Sequence, residues 1–350
     1  MLVIKMSVQK KVLDVAGRTN WGTSQETRAR RSSDFEKKNP LICLLTDYGR
    51  DEAPYLVRSA IRAVRPKARI DDVTHEIPAF NVLAGAWRLA RVVKTPTEAE
   101  GAIYVAVVDP GVGGERKSLI VRTNNGQYLV GPDNGLLSLA FQDSGIDCAV
   151  SIDNRELTLL HFAKSHTFEG KDVFGPVAAH LANGVGITEF GERLPPISLR
   201  RILLSSESTP TSRTGYLVDI DSFGNLRTNL ENGSVGGFDS ARVKIWCNGF
   251  ELFDQTFDKK SVAQRNFENG PGTGISLVRS STGCLDIIKK QGDASKELRI
   301  TSGRIALTPD LRPVTEVSIE RSTVTQIPIS IEAKSTRREA AFPRCLGGLG

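Results

Sequence analysis

The sequence predicts an α/β N-terminal domain with a central, mostly parallel sheet, followed by a smaller C-terminal all-β, barrel-like domain. Three observations carry this. From residue 41, short apolar runs alternate with stretches of helical period in the order β-α-β-α-β, which implies parallel strands joined by right-handed crossovers. The third strand, Ile103 to Val108, is a continuous apolar run, as expected of a strand buried on both faces. From about residue 213 the helical periods stop and short strands separated by turns take over. At 350 residues the chain suits two domains better than one. The expected boundaries are a disordered basic extension over 1–39, the α/β domain over 40–195, the barrel-like domain over 196–312 and a disordered tail over 313–350.

The elements follow from local patterns. Leu41 to Thr46 is a short apolar strand ending in Asp47-Tyr48-Gly49. Pro54 suits the first turn of a helix whose buried stripe is Leu56, Val57, Ala60, Ile61 and Val64, and Pro66 stops it. Ile70 to Val73 resumes a strand; Asn81 can cap the next helix, with apolar positions at Val82, Ala86, Leu89 and Val92. Leu119-Ile120-Val121 and Tyr128-Leu129-Val130 flank Asn124-Asn125-Gly126, a hairpin signature. Pro132-Asp133-Asn134-Gly135 turns into a helix around Leu136 to Phe141. Asp172 is the expected cap of a helix carrying Phe174, Val177, Ala178 and Leu181, with Gly184 as its stop. Beyond Pro195-Pro196, strands are expected at Tyr216–Ile220, Val243–Cys247, Ile275–Val278 and Leu285–Ile288.

Composition narrows the function. The net charge is +6, but much of the excess sits in the first forty residues, with Arg28, Arg30, Arg31, Lys37 and Lys38, so charge does not imply nucleic acid. No apolar run approaches the ~20 residues that span a bilayer. The five cysteines are scattered and form no CxxC pair, so neither a zinc site nor a disulfide framework is suggested, and a cytoplasmic setting is expected. The four histidines (His75, His161, His166, His180) are not at metal-ligand spacing. Gly270-Pro271-Gly272-Thr273-Gly274 lacks the ending of a phosphate loop and reads as a turn; Gly111-Val112-Gly113-Gly114 lacks the third glycine of a dinucleotide site.

The stretch with most chemistry is Val108-Asp109-Pro110-Gly111-Val112-Gly113-Gly114-Glu115-Arg116. A strand that ends in Asp and opens into a glycine-rich turn puts a carboxylate at the rim of a sheet, where open α/β sheets bind ligands. Arg116 returns a permanent cation seven residues later.

Taken together, Thr46-Asp47-Tyr48-Gly49, Asp72-Val73-Thr74-His75-Glu76-Ile77, Phe80-Asn81-Val82, Val107 to Gly113, Pro132 to Gly135, Thr167-Phe168-x-Gly170-x-Asp172 and Asp221-Ser222-Phe223-Gly224-Asn225 resemble the S-adenosylmethionine hydroxide adenosyltransferase family, relatives of the fluorinase and chlorinase. The likeness covers roughly residues 40–305. It implies a homotrimer with the substrate between the N-terminal domain of one subunit and the C-terminal domain of the next. The implied reaction is S-adenosylmethionine plus water giving adenosine and L-methionine. The sulfonium already makes a good leaving group, so no metal or cofactor is called for; a water must be activated and aimed at ribose C5′. Asp109 and Arg116 match the family's catalytic Asp and Arg. The resemblance places Asp47 on the ribose hydroxyls, Phe80 beside the methionine part and Phe168 at the ribose or adenine, with Asn81 and Thr167 as neighbouring substrate-binding positions. Asp221, Phe223 and Asn225 match the loop that reaches the substrate from the neighbouring subunit, and Ser280 and Ser281 a further binding loop.

One position departs. The family carries His in Thr-Phe-His-Gly-Arg-Asp, where this chain has Thr167-Phe168-Glu169-Gly170-Lys171-Asp172. Glu169 is expected as the third catalytic group, either working as an acceptor for the water or altering the activity. A second carboxylate beside Asp109 is tolerable if Arg116 bridges the two. Two alternatives stay open: a non-catalytic S-adenosylmethionine- or adenosine-binding protein, and a halide-using adenosyl transferase. Asp109 disfavours the second, because a carboxylate repels a halide.

Overall fold

The computed structural model describes residues 39–95, 101–160, 167–235, 238, 240–257, 262 and 274–322. The basic extension before residue 39, the tail beyond 322, His161, His166 and most of the Gly270–Gly274 turn lie outside the described residues.

The N-terminal region is a six-stranded mixed sheet in the order β2-β1-β3-β5-β4-β6. Its strands are β1 (Leu41–Thr46), β2 (Arg69–Thr74), β3 (Ile103–Val107), β4 (Ser118–Thr123), β5 (Tyr128–Pro132) and β6 (Ile146–Ser151). β2, β1, β3 and β5 run parallel, while β4 pairs antiparallel with β5 and β6. Helices cover both faces. Alternate residues of β1 show the division: Ile42 and Leu44 pack with Val57 and Ile61 of α1 (Ala53–Val64) and Val177 of α4 (Gly175–Ala182). Cys43 and Leu45 pack with Leu83 and Leu89 of α2 (Val82–Val93) and Ala140 of α3 (Ser138–Ser144). The chain leaves β1 for β2 on one side and returns to β3 on the other. The strand order therefore reverses between β1 and β3, where an open α/β sheet forms a crevice at its carboxyl edge.

Asn81 caps α2 as expected, its Oδ1 accepting from Ala84 N at 3.0 Å. Asp172 does not cap a helix. It sits within a π-helical turn, Gly170–Phe174, that runs directly into α4, so the chain is already helical where a cap was expected.

The C-terminal region is an eight-stranded antiparallel sheet in the order β11-β10-β14-β8-β9-β13-β12, with β7 paired to β8. The strands are β7 (Glu207–Ser208), β8 (Ser212–Ile220), β9 (Leu226–Glu231), β10 (Ala241–Cys247), β11 (Phe250–Phe257), β12 (Ile275–Arg279), β13 (Cys284–Lys289) and β14 (Thr315–Arg321). β14 corrects the expected start of the disordered tail at residue 313, since Thr315–Arg321 lies between β10 and β8. Val317 and Ile319 are sealed in the core while Glu316 and Glu320 lie on the opposite, more open face, with Ser318 buried between them. One apolar cluster runs from α2 and α3 into this sheet, so the two regions share a core. Arg88 of α2 reinforces the junction by reaching Asp219 of β8 at 2.9 Å.

Candidate active site

The register of the parallel strands brings two distant acids together. Thr46 of β1 pairs with Val107 of β3, so Asp47 and Asp109 emerge side by side at the carboxyl edge, with Asp47 N donating to Val107 O at 3.4 Å. After Asp109 the chain turns back through Gly113, whose φ of +77° is the left-handed conformation that glycine adopts without cost. The return delivers Arg116 to the same spot.

Arg116 is the hub. Its Nε donates to Asp109 Oδ2 at 3.0 Å, its Nη2 bonds Asp109 Oδ2 and meets Glu169 Oε2 at 2.8 Å, and its Nη1 donates to Ser118 Oγ at 2.9 Å. Ser118 Oγ donates in turn to Glu169 Oε2 at 3.0 Å. The Phe174 ring lies 5.7 Å from the guanidinium carbon. Side-chain exposures of 5% for Asp109, 7% for Arg116 and 15% for Glu169 mean that little water screens the cluster. Burial works against the Arg116 charge, but the two carboxylates outweigh it and push its pKa above the ordinary value. The cluster holds two acids and one base, a surplus of one negative charge when all are ionised.

Asp47 Oδ2 accepts from Phe80 N at 2.8 Å. That bond holds Phe80 at φ +63°, an uncommon backbone state for a bulky residue, and leaves its ring 69% exposed. Burial raises the Asp47 carboxyl pKa, the Phe80 N–H opposes this, and the Asp109 charge adds to it. Tyr48 packs edge-on to Phe168 at 5.4 Å between ring centres. Burial, then the charges of Asp47, Asp109 and Glu169, hold its phenol far above the ordinary range, so it stays neutral. Thr167 is exposed at the start of the segment that carries Phe168 and Glu169. Asn81 lies nearby, its Nδ2 donating to Ile305 O at 2.7 Å. A cavity of about 530 Å³ opens beside Arg116, with Phe80, Asn81, Gly111 and Asn134 on one wall and the Ser302–Leu311 segment on the other.

Asp221, Phe223, Asn225 and Ser281 share no hydrogen bond or ion pair with the Asp109 cluster among the described residues. Asp221 Oδ1 accepts from Phe223 N and Asn225 N, and its Oδ2 from Asn225 Nδ2, which folds the loop on itself and leaves Phe223 76% exposed. Ser281 is exposed in the β12–β13 turn. Among the described residues, no hydrogen bond of this loop reaches the Asp109 cluster within one chain.

Sequence reasoning missed Ser118, Tyr48 and Asn134 as members of the site. Tyr48 and Asn134 stood inside recognised motifs; Asn134 Nδ2 holds Val108 O at 2.9 Å, just before Asp109. Ser118 carried no signal, being a small polar residue at the start of an apolar strand. Among the described residues, no group of His, Cys, Asp and Glu is arranged to hold a metal ion, and no helix is long and apolar enough to cross a membrane.

Comparison with known proteins finds named relatives of this chain. The chain matches the SAM hydroxide adenosyltransferase N-terminal domain over residues 42–191 and the C-terminal domain over residues 215–306. It is 33% identical over 268 residues to an (R)-S-adenosyl-L-methionine hydrolase of Salinispora arenicola, covering 75% of this chain and 95% of that protein. It is 32% identical over 270 residues to one of Methanocaldococcus jannaschii, covering 74% and 92%. The crystal structure of an uncharacterised conserved protein from Thermotoga maritima superposes with a TM-score of 0.65 at 30% identity, covering 80% of this chain and all of that one. With both domains matched in order and the acid–guanidinium pair seated at the sheet edge, the chain belongs to the SAM hydroxide adenosyltransferase family.

Proposed function

We propose that this protein hydrolyses S-adenosyl-L-methionine to adenosine and L-methionine. The observation that carries the reading is the Asp109–Arg116–Glu169 cluster at the crevice of the sheet. A water held by Asp109 attacks ribose C5′ in line with the C–S bond; the C–S bond breaks, and its electron pair stays on sulfur as the neutral thioether of methionine. The proton released from the water passes to a carboxylate and then to solvent. Because the leaving group is neutral, the step requires no acid, metal or cofactor at sulfur. Surplus negative charge suits a cationic substrate and repels a halide, which supports water as the nucleophile.

Asp47, Asn81, Phe80, Thr167 and Phe168 form the substrate wall on the N-terminal side, with the Asp47 carboxylate on the ribose hydroxyls. The exposed Phe223 and its loop, with Asp221, Asn225 and Ser281, serve the site of a neighbouring subunit, with the C-terminal sheet acting as a barrel-like domain in a homotrimer. Support for this comes from the loop's hydrogen bonds, none of which among the described residues reaches the Asp109 cluster, and from the exposure of two rings, Phe80 and Phe223.

Chromatography of the products after incubation with S-adenosylmethionine tests the reading. Adenosine and methionine from the wild type, and neither from Asp109→Ala, are expected. Glu169 in place of the family's His supports one other reading, a binder without turnover. Tight calorimetric binding of S-adenosylmethionine with no product from the wild type would favour that reading.

A further inference from the structure

We propose that Ser118 is a positioning residue of this site: its hydroxyl ties Glu169 to the Arg116 guanidinium and determines which carboxylate oxygen is left to meet the nucleophilic water. The proposal rests on the hydrolase reading above.

The hydroxyl does two things at once. It accepts from Arg116 Nη1 at 2.9 Å, which commits a lone pair and turns its own proton outward, and it donates that proton to Glu169 Oε2 at 3.0 Å. Arg116 Nη2 meets the same Oε2 at 2.8 Å. Glu169 Oε2 is therefore taken by two donors, while no hydrogen bond to Oε1 exists among the described residues. A carboxylate with one oxygen doubly held, and the other without a donor among the described residues, is an oriented acceptor.

The anchor is stiffer than the group it holds. Ser118 opens β4, opposite Pro132 of β5, and its carbonyl accepts from Ile152 N at 2.8 Å, so its backbone is pinned from both sides. A serine side chain has a single heavy-atom rotor. Glu169 is long and enters at the start of the π-helical turn, with no capping bond of its own. Without Ser118, Arg116 Nη1 loses its acceptor and the Glu169 carboxylate keeps only the shared Nη2. The pair Glu169 and Ser118 forms one device: a carboxylate at 169 uses the O–H donor that 118 supplies.

The test is a kinetic double-mutant cycle on adenosine release with wild type, Ser118→Ala, Ser118→Thr, Glu169→Gln and the Ser118→Ala/Glu169→Gln double variant. Losing a hydrogen bond to a charged group predicts a fall in kcat of about tenfold or more for Ser118→Ala, with KM little changed. Ser118→Thr keeps the hydroxyl and recovers most of the rate. The double variant is no slower than Glu169→Gln alone. A Ser118→Ala enzyme as fast as wild type, losses that multiply in the double variant, or a normally folded Thr variant as slow as Ala overturns the proposal while leaving the hydrolase reading intact. No adenosine from the wild type overturns the hydrolase reading instead. The same cycle read as urea unfolding free energies then decides the Ser118–Glu169 tie, which additive values would refute.

Discussion

Replacing Arg116 with Gln removes the cation that two acids share. Asp109 Oδ2 and Glu169 Oε2 both lie within bonding reach of a single Arg116 nitrogen, which puts them roughly 5 Å apart or closer. At an effective dielectric of about 20, two unit charges at that distance repel by about 3 kcal/mol. With the guanidinium gone, nothing offsets that repulsion between two nearly sealed carboxylates. Arg116→Gln should therefore lose about 3 kcal/mol of unfolding free energy relative to wild type at neutral pH. Urea unfolding of both proteins measures it, and adenosine release should be lost in the same variant. An Arg116→Gln protein as stable as wild type would refute the shared-cation account of the site.

Gly170→Ala would put a methyl group into the Tyr48 hydroxyl, and the ring's Cζ lies only 3.0 Å from the added carbon. Overpacking of this kind costs about 1–3 kcal/mol, and combining it with Tyr48→Phe should recover part of the loss in thermal unfolding. Asp219, with no exposed side-chain area, is held by Arg88 at 2.9 Å and Arg227 at 3.0 Å. Asp219→Ala takes the shared carboxylate from two largely buried guanidiniums, leaving Arg88 on Ile220 O and Arg227 on Asp221, and should lower unfolding free energy by about 3 kcal/mol, whereas a loss comparable to a surface substitution would show the junction is held by apolar packing alone. Burial pushes the Asp286 carboxyl up to about 6 from 3.8, against the opposing pull of Ser280 and Arg227. The folded state keeps that proton through a window where the unfolded chain has lost it, so wild-type stability should fall by about 3 kcal/mol as pH rises from 4 to 6. Asp286→Asn should abolish that part of the pH dependence.

Much of the fold was legible because it rests on local rules. Strands β1 and β3, the Pro54 helix start and the Asn81 cap each follow from side-chain period or backbone chemistry within a few residues. The 313–322 segment was misread because six of its ten residues are charged or hydroxylic, and only the alternation of Val317 and Ile319 marked it as a strand. The Asp172 cap failed for a related reason: a π-helical turn has no distinctive period, so a residue inside it looks like a helix start.

From the sequence, the acid after β3 and the cation seven places on were identified by local chemistry, and the carboxylate at 169 by its place in a motif that resembles the family's. Folding decided their relation. Parallel pairing of β1 with β3 set Asp47 beside Asp109, and one guanidinium came to be shared between two acids and a serine. A linear string specifies which groups exist, but hydrogen bonds act over about 3 Å, and only tertiary packing brings residues fifty positions apart to that distance.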